Sequence, residues 1–378
     1  MSLSISSTFD SGNIIVKDAS DPSNVRLAIA KDHQSDFYQW FHFRVTGEKG
    51  QKLRLIIENA GSAAYPKGWE NYNAVVSQDT MAWRRVPTSY DGQHLTIETE
   101  LAETSIYVAY FAPYSSERHQ MLIAGAQNYE HSCVSVLGQT LDGRDLDLIT
   151  IGEPGPDKRV IWITARQHPG ETMAEWWMEG FLERMLDPIS ASSKDLLSRA
   201  VFYVVPNMNP DGSARGHLRT NAVGVNLNRE WKTPSLEKSP EVYFVLQKMI
   251  ETGCDFALDV HGDEALPYNF IAGTEGIPSW SDRLATLQDT FKNVYVKSSN
   301  GAFQTQYGYP TSARGKANMT ICSSAVAERF DCLAMTLELP FKDDANHPDA
   351  EFGWSPARCK ELGASVLSPL LAVMPTLR

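Results

Sequence analysis

The sequence predicts an α/β protein in two parts: an antiparallel β-sandwich over residues 1–118 and an α/β domain with a mixed central sheet over residues 119–378. Three observations support this fold class. The first part contains short runs of alternating apolar and polar residues and no sustained helical period. The second part alternates short apolar runs with segments of helical period, as α/β domains do. The length of 378 residues also exceeds one ordinary domain of about 150 residues.

The strands predicted in the first part are rich in aromatic and β-branched residues. They cover residues 37–45, 52–57, 94–101 and 105–114. Turn signals separate these runs, for example at Gly47 to Gly50 and at Asp91-Gly92. The runs at 94–101 and 105–114 alternate apolar with polar residues, whereas 37–45 has both faces occupied, and a small antiparallel β-sandwich is the expected way to bury such strands.

The elements predicted in the second part alternate between apolar strands and amphipathic helices. The strands cover residues 159–165, 200–206, 256–260, 293–298 and 332–339. The helices cover residues 171–186, 239–252, 280–293 and 355–374. This order predicts a sheet with helical crossover connections.

The composition excludes several classes of protein. The chain has 46 acidic and 34 basic residues, and the net charge of −12 disfavours nonspecific binding to nucleic acid or to anionic membranes. No run approaches the roughly 18 apolar residues of a membrane span, and the first residues do not resemble a signal peptide. The five cysteines are odd in number and form no Cys-x-x-Cys pair, which argues against a disulfide framework. A cytoplasmic protein is therefore predicted.

Metal-binding residue types follow two of the predicted strands. His168 and Glu171 come after the strand at 159–165, three residues apart at the start of a helix, and His261 comes after the strand at 256–260. Ligand sites in open α/β sheets lie beyond the strand ends. Two histidines and one glutamate, with a fourth position open to water, make up a hydrolytic zinc site. The sequence therefore predicts one zinc ion per chain.

Glu338 is the candidate general base. It lies inside the apolar run from Ala334 to Pro340, where a carboxylate is costly unless it faces a polar cavity or a cation. Partial desolvation raises a carboxyl pKa, which suits proton transfer near neutral pH.

Residues 206–231 supply candidate cations for a substrate. The pair Asn228-Arg229 has the fork of donors that grips a carboxylate. A second arginine would stabilise the oxyanion of a tetrahedral intermediate, and both Arg215 and Arg219 are available for this role.

Five motifs in this order resemble the zinc metallocarboxypeptidases: His168-Pro169-Gly170-Glu171, Asn209-Pro210-Asp211-Gly212, Asn228-Arg229, His261-Gly262 and Thr336-Leu337-Glu338. Three further motifs resemble the cytosolic carboxypeptidase subfamily in a compact bacterial form: Tyr38-Gln39-Trp40-Phe41, Ala112-Pro113-Tyr114-Ser115 and Thr140-Leu141-Asp142-Gly143. The resemblance covers nearly the whole chain. It implies a β-sandwich ahead of a zinc-carboxypeptidase α/β/α domain.

The resemblance also implies a role for each motif residue. His168, Glu171 and His261 would bind zinc, and Glu338 would activate water and protonate the leaving amine. The motif spacing selects Arg219 as the oxyanion arginine. Asn228 and Arg229 would bind the terminal carboxylate of a peptide or protein substrate.

The chain departs from the family pattern at three places. Asn226 stands where many members have an aspartate that orients a zinc histidine. The tyrosine that caps the substrate in digestive members has two candidates, Tyr307 and Tyr309. Members that remove acidic residues carry a basic residue in the specificity pocket, and Asn318 stands near that position. Arg314 and Lys316 are the nearby substitutes for it, so acidic specificity is a hypothesis.

The predicted activity is the zinc-dependent removal of C-terminal residues from peptides or proteins. Two alternatives use the same site: a zinc-dependent deacylase or amidase of small N-acyl amino acids, and a catalytically weak zinc protein that binds a partner.

Overall fold

The computed structural model describes residues 3–377. These residues form two five-stranded sheets, one seven-stranded sheet and nine α-helices. None of the helices in the described residues is both long enough and apolar enough to cross a bilayer.

The first ten strands build the two five-stranded sheets. One sheet has the order β1-β4-β10-β6-β7 and the other has the order β2-β3-β5-β9-β8. Neighbouring strands are antiparallel except β3 and β5, which pair in parallel. The strands are β1 Ser4–Ser6, β2 Ile15–Asp18, β3 Val25–Ala28, β4 His42–Thr46, β5 Lys52–Ile57, β6 Val75–Ser77, β7 Arg84–Arg85, β8 Thr88–Tyr90, β9 Leu95–Glu100 and β10 Ser105–Ala109.

Burial along β5 follows the alternation expected of a strand with one solvent face. Leu53, Leu55 and Ile57 are buried, and Leu55 lies opposite Ile97 of β9. The strand predicted at 37–45 begins only at His42. The residues before it are held by a side chain instead of a ladder, because the Gln39 amide binds the backbone N and O of Tyr65.

The remaining strands form a mixed sheet of order β11-β12-β14-β13-β15-β17-β16. Its four central neighbours, β14, β13, β15 and β17, are parallel, and the flanking pairs are antiparallel. The predicted α/β class with a mixed central sheet is confirmed. The strands are β11 Ser132–Gln139, β12 Asp145–Ile151, β13 Arg159–Ala165, β14 Ala200–Val205, β15 Phe256–Asp263, β16 Phe270–Ala272 and β17 Leu333–Pro340.

The helices connect and cover this sheet. They are α1 Ser116–Ala126, α2 Met173–Met185, α3 Ala191–Arg199, α4 Pro210–Arg215, α5 Pro240–Thr252, α6 Asp282–Ser298, α7 Cys322–Phe330, α8 Pro356–Ser365 and α9 Leu367–Val373. The single closing helix predicted at 355–374 is divided into α8 and α9. The predicted boundary between residues 118 and 119 falls within α1, and it stays a prediction.

The strand predicted at 293–298 is wrong, because α6 continues through these residues to Ser298. The β-branched residues there favoured a strand, but the buried positions repeat at helical spacing. These positions are Leu284, Leu287, Phe291 and Tyr295. The Ser281 hydroxyl accepts a hydrogen bond from Leu284 N and caps the helix at its start.

Candidate active site

The three predicted zinc ligands meet at the carboxyl ends of β13 and β15. His168 Nδ1 lies 2.7 Å from Glu171 Oε1, and His261 Nδ1 lies 2.8 Å from Glu171 Oε2. One ligand atom from each of the three residues lies within 4.8 Å of the others, and all three residues are buried. Two imidazole nitrogens and a carboxylate oxygen converging in this way fit the donor set of zinc.

The loop that carries His168 and Glu171 is held by a buried arginine. Arg166, at the end of β13, has a φ of +59°. Its guanidinium donates to the Pro169 carbonyl, the Tyr114 carbonyl and Glu175 Oε2. These bonds fix the turn between β13 and α2. They therefore also fix the positions of His168 and Glu171, which lie in this turn.

Each histidine of this candidate metal site is oriented through its second ring nitrogen. His261 Nε2 lies 2.8 Å from Asp259 Oδ2, and His168 Nε2 lies 3.0 Å from Asn226 Oδ1. Both Nδ1 atoms therefore face the shared centre. Hydrogen bonds of this kind set the tautomer and basicity of metal-binding histidines. The predicted position of Asn226 behind a zinc histidine matches this contact.

Charge around the two histidines is unequal. Burial, together with the positive charge of Arg219, lowers the pKa of His168 to about 4. Burial would also lower the pKa of His261, but the carboxylates of Asp259 and Glu171 hold it well above its ordinary value. Metal ligation requires a neutral imidazole, so metal binding at His261 would release a proton.

Glu338 faces the same centre from β17, where it lies opposite His261 in the strand register. It is 7% exposed, and its Oε2 has no hydrogen-bond partner among residues 3–377. Burial raises the pKa of Glu338 well above its ordinary value, against the opposing charge of His261. A divalent cation at the neighbouring cluster would favour the carboxylate form again.

These residues border a cavity of about 600 Å³, which Arg219, Asn228 and Arg229 also line. The short 3₁₀ turn Leu227–Arg229 presents the pair Asn228-Arg229, and Asn226 Oδ1 accepts from Asn228 N at 3.0 Å. Asn226 thus links the pair Asn228-Arg229 to His168.

The two arginines that were candidates for the oxyanion role, Arg215 and Arg219, make different contacts. The Arg215 guanidinium forms two hydrogen bonds with the Asp142 carboxylate, at 2.8 and 2.7 Å. Arg219 instead lines the cavity, and its guanidinium has no hydrogen bond or ion pair within residues 3–377. Only Arg219 therefore has its donors available for a substrate.

Tyr307 and Tyr309 both line the cavity but make different contacts. The Tyr309 hydroxyl donates to Asp263 Oδ2 at 2.5 Å, and burial raises the pKa of this phenol. The Tyr307 ring stacks on Tyr268 with 4.3 Å between ring centroids. Of the two tyrosines, Tyr309 is therefore the one anchored to β15, the strand that carries His261.

The structure does not bring Arg314 and Lys316 to the cavity. Both side chains are exposed, and Arg314 Nε donates to the Pro278 carbonyl. Asn318 does line the cavity, together with hydroxyl-bearing residues. These include Thr274, Ser312, Ser323, Ser324 and Thr336.

Several residues of this site were absent from the sequence-based prediction. Asp259 and Asp263 flank His261 two residues to either side, and this alternation on a strand was a usable signal. Glu264 also lines the cavity, where burial raises its pKa well above the ordinary value. Tyr65 comes from a loop of the N-terminal part of the chain, just before the 3₁₀ turn Pro66–Trp69, and no local sequence signal identifies it.

The fold and the site define a class of protein. Residues 119–346 match the zinc carboxypeptidase family, and residues 5–111 match the cytosolic carboxypeptidase N-terminal domain. The chain belongs to the zinc carboxypeptidases. It is a metallocarboxypeptidase with the N-terminal domain of the cytosolic subfamily, and hence a peptide hydrolase.

Particular relatives share most of this architecture. An uncharacterized protein of Zymomonas mobilis is 48% identical over 98% of this chain and 96% of its own length. The metallo-carboxypeptidase of Pseudomonas aeruginosa, solved with (2-guanidinoethylmercapto)succinic acid, superposes with a TM-score of 0.96. It is 45% identical and covers 99% of this chain and 100% of its own. Cytosolic carboxypeptidase 6 of Mus musculus is 28% identical over 72% of this chain, which spans 55% of the mouse protein.

Proposed function

We propose that this chain releases the C-terminal residue of peptides or proteins with Glu338 as the general base. One observation carries the proposal. The cluster of His168, Glu171 and His261, the unpartnered Glu338 carboxylate and the pair Asn228-Arg229 all line a single cavity. A metal centre, a base and a carboxylate clamp are the three components that hydrolysis at a chain end requires.

The metal site and Glu338 have different roles in the proposed reaction. Zinc held by His168, Glu171 and His261 would supply Lewis-acid activation of water and of the scissile carbonyl. Glu338 accepts the proton of the attacking water and returns it to the leaving amine.

The substrate is held by the remaining polar groups of the cavity. Asn228 and Arg229 bind the terminal carboxylate through charge-assisted hydrogen bonds. Arg219 donates to the carbonyl oxygen as negative charge develops on it. Tyr309, anchored by Asp263, covers the bound terminal residue.

The variant Glu338→Gln tests this mechanism because it removes the base and keeps the shape of the side chain. We expect kcat on a peptide with a free C-terminus to fall about 10²- to 10⁴-fold while bound zinc stays at one per chain. The matched control is Glu241→Gln, since Glu241 is also a buried glutamate with an unpartnered oxygen, but it lies on α5 away from the cavity. Full activity of Glu338→Gln would contradict the mechanism.

A preference for acidic C-terminal residues is the finer part of the proposal. Arg314 and Lys316 do not line the cavity, so this preference would rest on Lys292, which does. Glu275 also lines the cavity, and its negative charge opposes a preference for acidic residues. The expected result for three peptides differing only in a terminal Glu, Gln or Lys is fastest release of Glu, with the advantage lost in Lys292→Met. Equal release of all three residues would exclude the preference.

A deacylase of small N-acyl amino acids is the alternative that the same clamp supports. Asn228 and Arg229 bind the carboxylate of an N-acyl amino acid as well as that of a peptide. Parallel assays with N-acyl amino acids and with longer peptides separate the two activities. Turnover of the small substrates without cleavage of any peptide would favour the deacylase.

A further inference from the structure

The segment that carries Arg219 is fastened to the N-terminal sheets by one buried aspartate. Asp32, which is 2% exposed, lies in the loop after β3. Its Oδ1 accepts from Leu218 N at 2.7 Å, and its Oδ2 accepts from Arg219 N at 2.8 Å and from Thr220 N at 2.9 Å. Three consecutive backbone N–H groups thus converge on one carboxylate, an arrangement that holds a backbone segment in a single conformation.

The Arg219 side chain leaves this anchored backbone next to two aromatic rings from loops of the N-terminal part of the chain, those of Phe37 and Tyr65. Its guanidinium carbon lies 5.5 Å from the centroid of the Phe37 ring and 5.4 Å from that of the Tyr65 ring. Distances below about 6 Å give cation–π attraction. Because this guanidinium has no hydrogen bond or ion pair in the described part of the chain, the two rings and the anchored backbone determine where it points.

The backbone that carries each of these rings is held by hydrogen bonds. Gln39 Oε1 accepts from Tyr65 N at 2.8 Å, and Gln39 Nε2 donates to the Tyr65 carbonyl at 3.0 Å. The Phe37 carbonyl accepts from Asp32 N at 2.9 Å. Asp32 therefore stabilises both the segment that carries the arginine and one of the rings that flank it.

We propose that Asp32, Phe37 and Tyr65 are positioning residues that orient the Arg219 guanidinium toward the scissile carbonyl. The N-terminal domain is then a part of the active site and not only a wall beside it. This inference rests on the proposed role of Arg219. Donors that stabilise a transition state must be accurately placed, and a displacement of about 1 Å costs on the order of 10²-fold in rate.

The variant Asp32→Asn tests the inference because it replaces one acceptor oxygen with an NH₂ group that faces backbone N–H donors. We expect kcat to fall about 10- to 100-fold with KM changed by less than about threefold, since Arg219 acts in the transition state. In an Arg219→Ala background, adding Asp32→Asn should change kcat by less than about twofold, because the positioned group is absent.

Asp10→Asn is the matched control. The Asp10 carboxylate accepts hydrogen bonds from Ser116 N and Ser116 Oγ, so it also joins the N-terminal sheets to the following segment, but at the start of α1 and outside the cavity. We expect this variant to keep wild-type kcat. Thermal unfolding of both variants shows whether the loss of activity exceeds any loss of folded protein.

A second measurement does not depend on Asp32→Asn folding. Guanidinium ion added to Arg219→Ala should restore part of kcat by binding between the Phe37 and Tyr65 rings. We expect Tyr65→Leu, added to Arg219→Ala, to reduce this restoration at least about fivefold. Unchanged restoration would contradict the role of the rings.

The outcomes separate this inference from the proposed function. Full activity of Arg219→Ala would contradict the role of Arg219 itself. A strong defect in Arg219→Ala together with full activity of Asp32→Asn would overturn the positioning role alone. An equal loss on adding Asp32→Asn to the wild type and to Arg219→Ala would also overturn it, because it would show that Asp32 acts without Arg219.

Discussion

At the scale of single residues, the two histidines of the candidate metal site, His168 and His261, are supported by partners of different charge. His261 Nε2 faces the carboxylate of Asp259, whereas His168 Nε2 faces the neutral amide of Asn226. Asp259 is itself fixed by hydrogen bonds from Thr164 Oγ1 and Gln167 Nε2. An anionic partner makes an imidazole more basic and a better ligand, so the two positions should contribute unequally to metal affinity.

Two substitutions should therefore change zinc affinity in opposite directions. Asp259→Asn is expected to weaken zinc binding about 10- to 100-fold, because it removes the carboxylate behind His261. Asn226→Asp is expected to strengthen binding, because it places a carboxylate behind His168. Competition with a chromophoric chelator measures both affinities. Equal affinity of both variants and the wild type would show that these partners do not tune the site.

At the scale of elements, α2 and α8 approach each other through a pair of glycines. A Cβ atom on Gly180 would lie 2.1 Å from the Lys360 carbonyl oxygen, and one on Gly363 would lie 2.0 Å from the Trp177 carbonyl oxygen. Backbone atoms cannot give way as a flexible side chain can, so only glycine allows this helix contact. The contact matters for the site because α2 begins two residues after Glu171.

Gly180→Ala should lower the free energy of unfolding by about 1–3 kcal/mol, as overpacking of a core does. Gly125→Ala is the matched control, since Gly125 also lies within a helix but a Cβ there would meet nothing within 4 Å. The control should be neutral or stabilising by up to about 1 kcal/mol. Urea unfolding measures both variants, and equal stabilities would contradict the close-packing argument.

A buried histidine joins α1, α2 and β12. His119 Nδ1 lies 2.6 Å from Glu175 Oε1, and His119 Nε2 lies 3.1 Å from Asp147 Oδ2. Burial disfavours the charged imidazole, but the carboxylates of Glu175 and Asp147 have the larger effect and raise the pKa of His119 to about 9. Because the folded-state pKa exceeds the unfolded one of about 6.5, the resulting stability is complete below pH 6.5.

This stability should be lost as the pH rises from about 6.5 through 9. A pKa difference of this size corresponds to roughly 3 kcal/mol. We expect the free energy of unfolding of the wild type to fall by that amount relative to His119→Asn across this range. Urea unfolding at a series of pH values measures it, and parallel pH profiles of the two proteins would contradict the protonated state of His119.

At the scale of the whole molecule, the N-terminal sheets and the mixed sheet share one continuous buried core. Tyr110 stacks on Phe341 with 4.5 Å between ring centroids, and the Arg85 guanidinium donates to the Phe341 and Trp354 carbonyls. Phe341 follows Glu338 by three residues. Glu338 and Arg219 are thus both carried on segments that contact the N-terminal part of the chain, so the site and the core should unfold together.

Metal removal should therefore lower the stability of the whole chain. A ligand that binds only the folded state stabilises it by about 2.7 kcal/mol at a free concentration of 100 times its dissociation constant. We expect a chelator to lower the Tm of the wild type and to leave the Tm of Glu171→Gln, which lacks one metal ligand, nearly unchanged. Calorimetry measures both, and an equal shift in the two proteins would mean that the chelator acts elsewhere.

Local sequence patterns determined the elements and the chemistry that lies along them. Most strands of the mixed sheet were predicted because their apolar runs are buried on both faces. His168, Glu171 and His261 were predicted together because parallel strands end at one edge of a sheet. The prediction of a strand at 293–298 was wrong because its β-branched residues suggested a strand, whereas the buried positions Leu284, Leu287, Phe291 and Tyr295 follow the helical spacing of α6. The pattern there is ambiguous over so few residues.

Only the tertiary structure decided which side chains from distant segments face the cavity. Arg314 and Lys316 are close in sequence to Asn318, yet they do not line the cavity that Asn318 lines. Asp32 and Tyr65 precede Arg219 by more than a hundred residues and still contact it. Such contacts depend on how two sheets pack, which no local period records. The sequence thus determined the family and the reaction class, whereas packing against the N-terminal part of the chain decided how Arg219 is held.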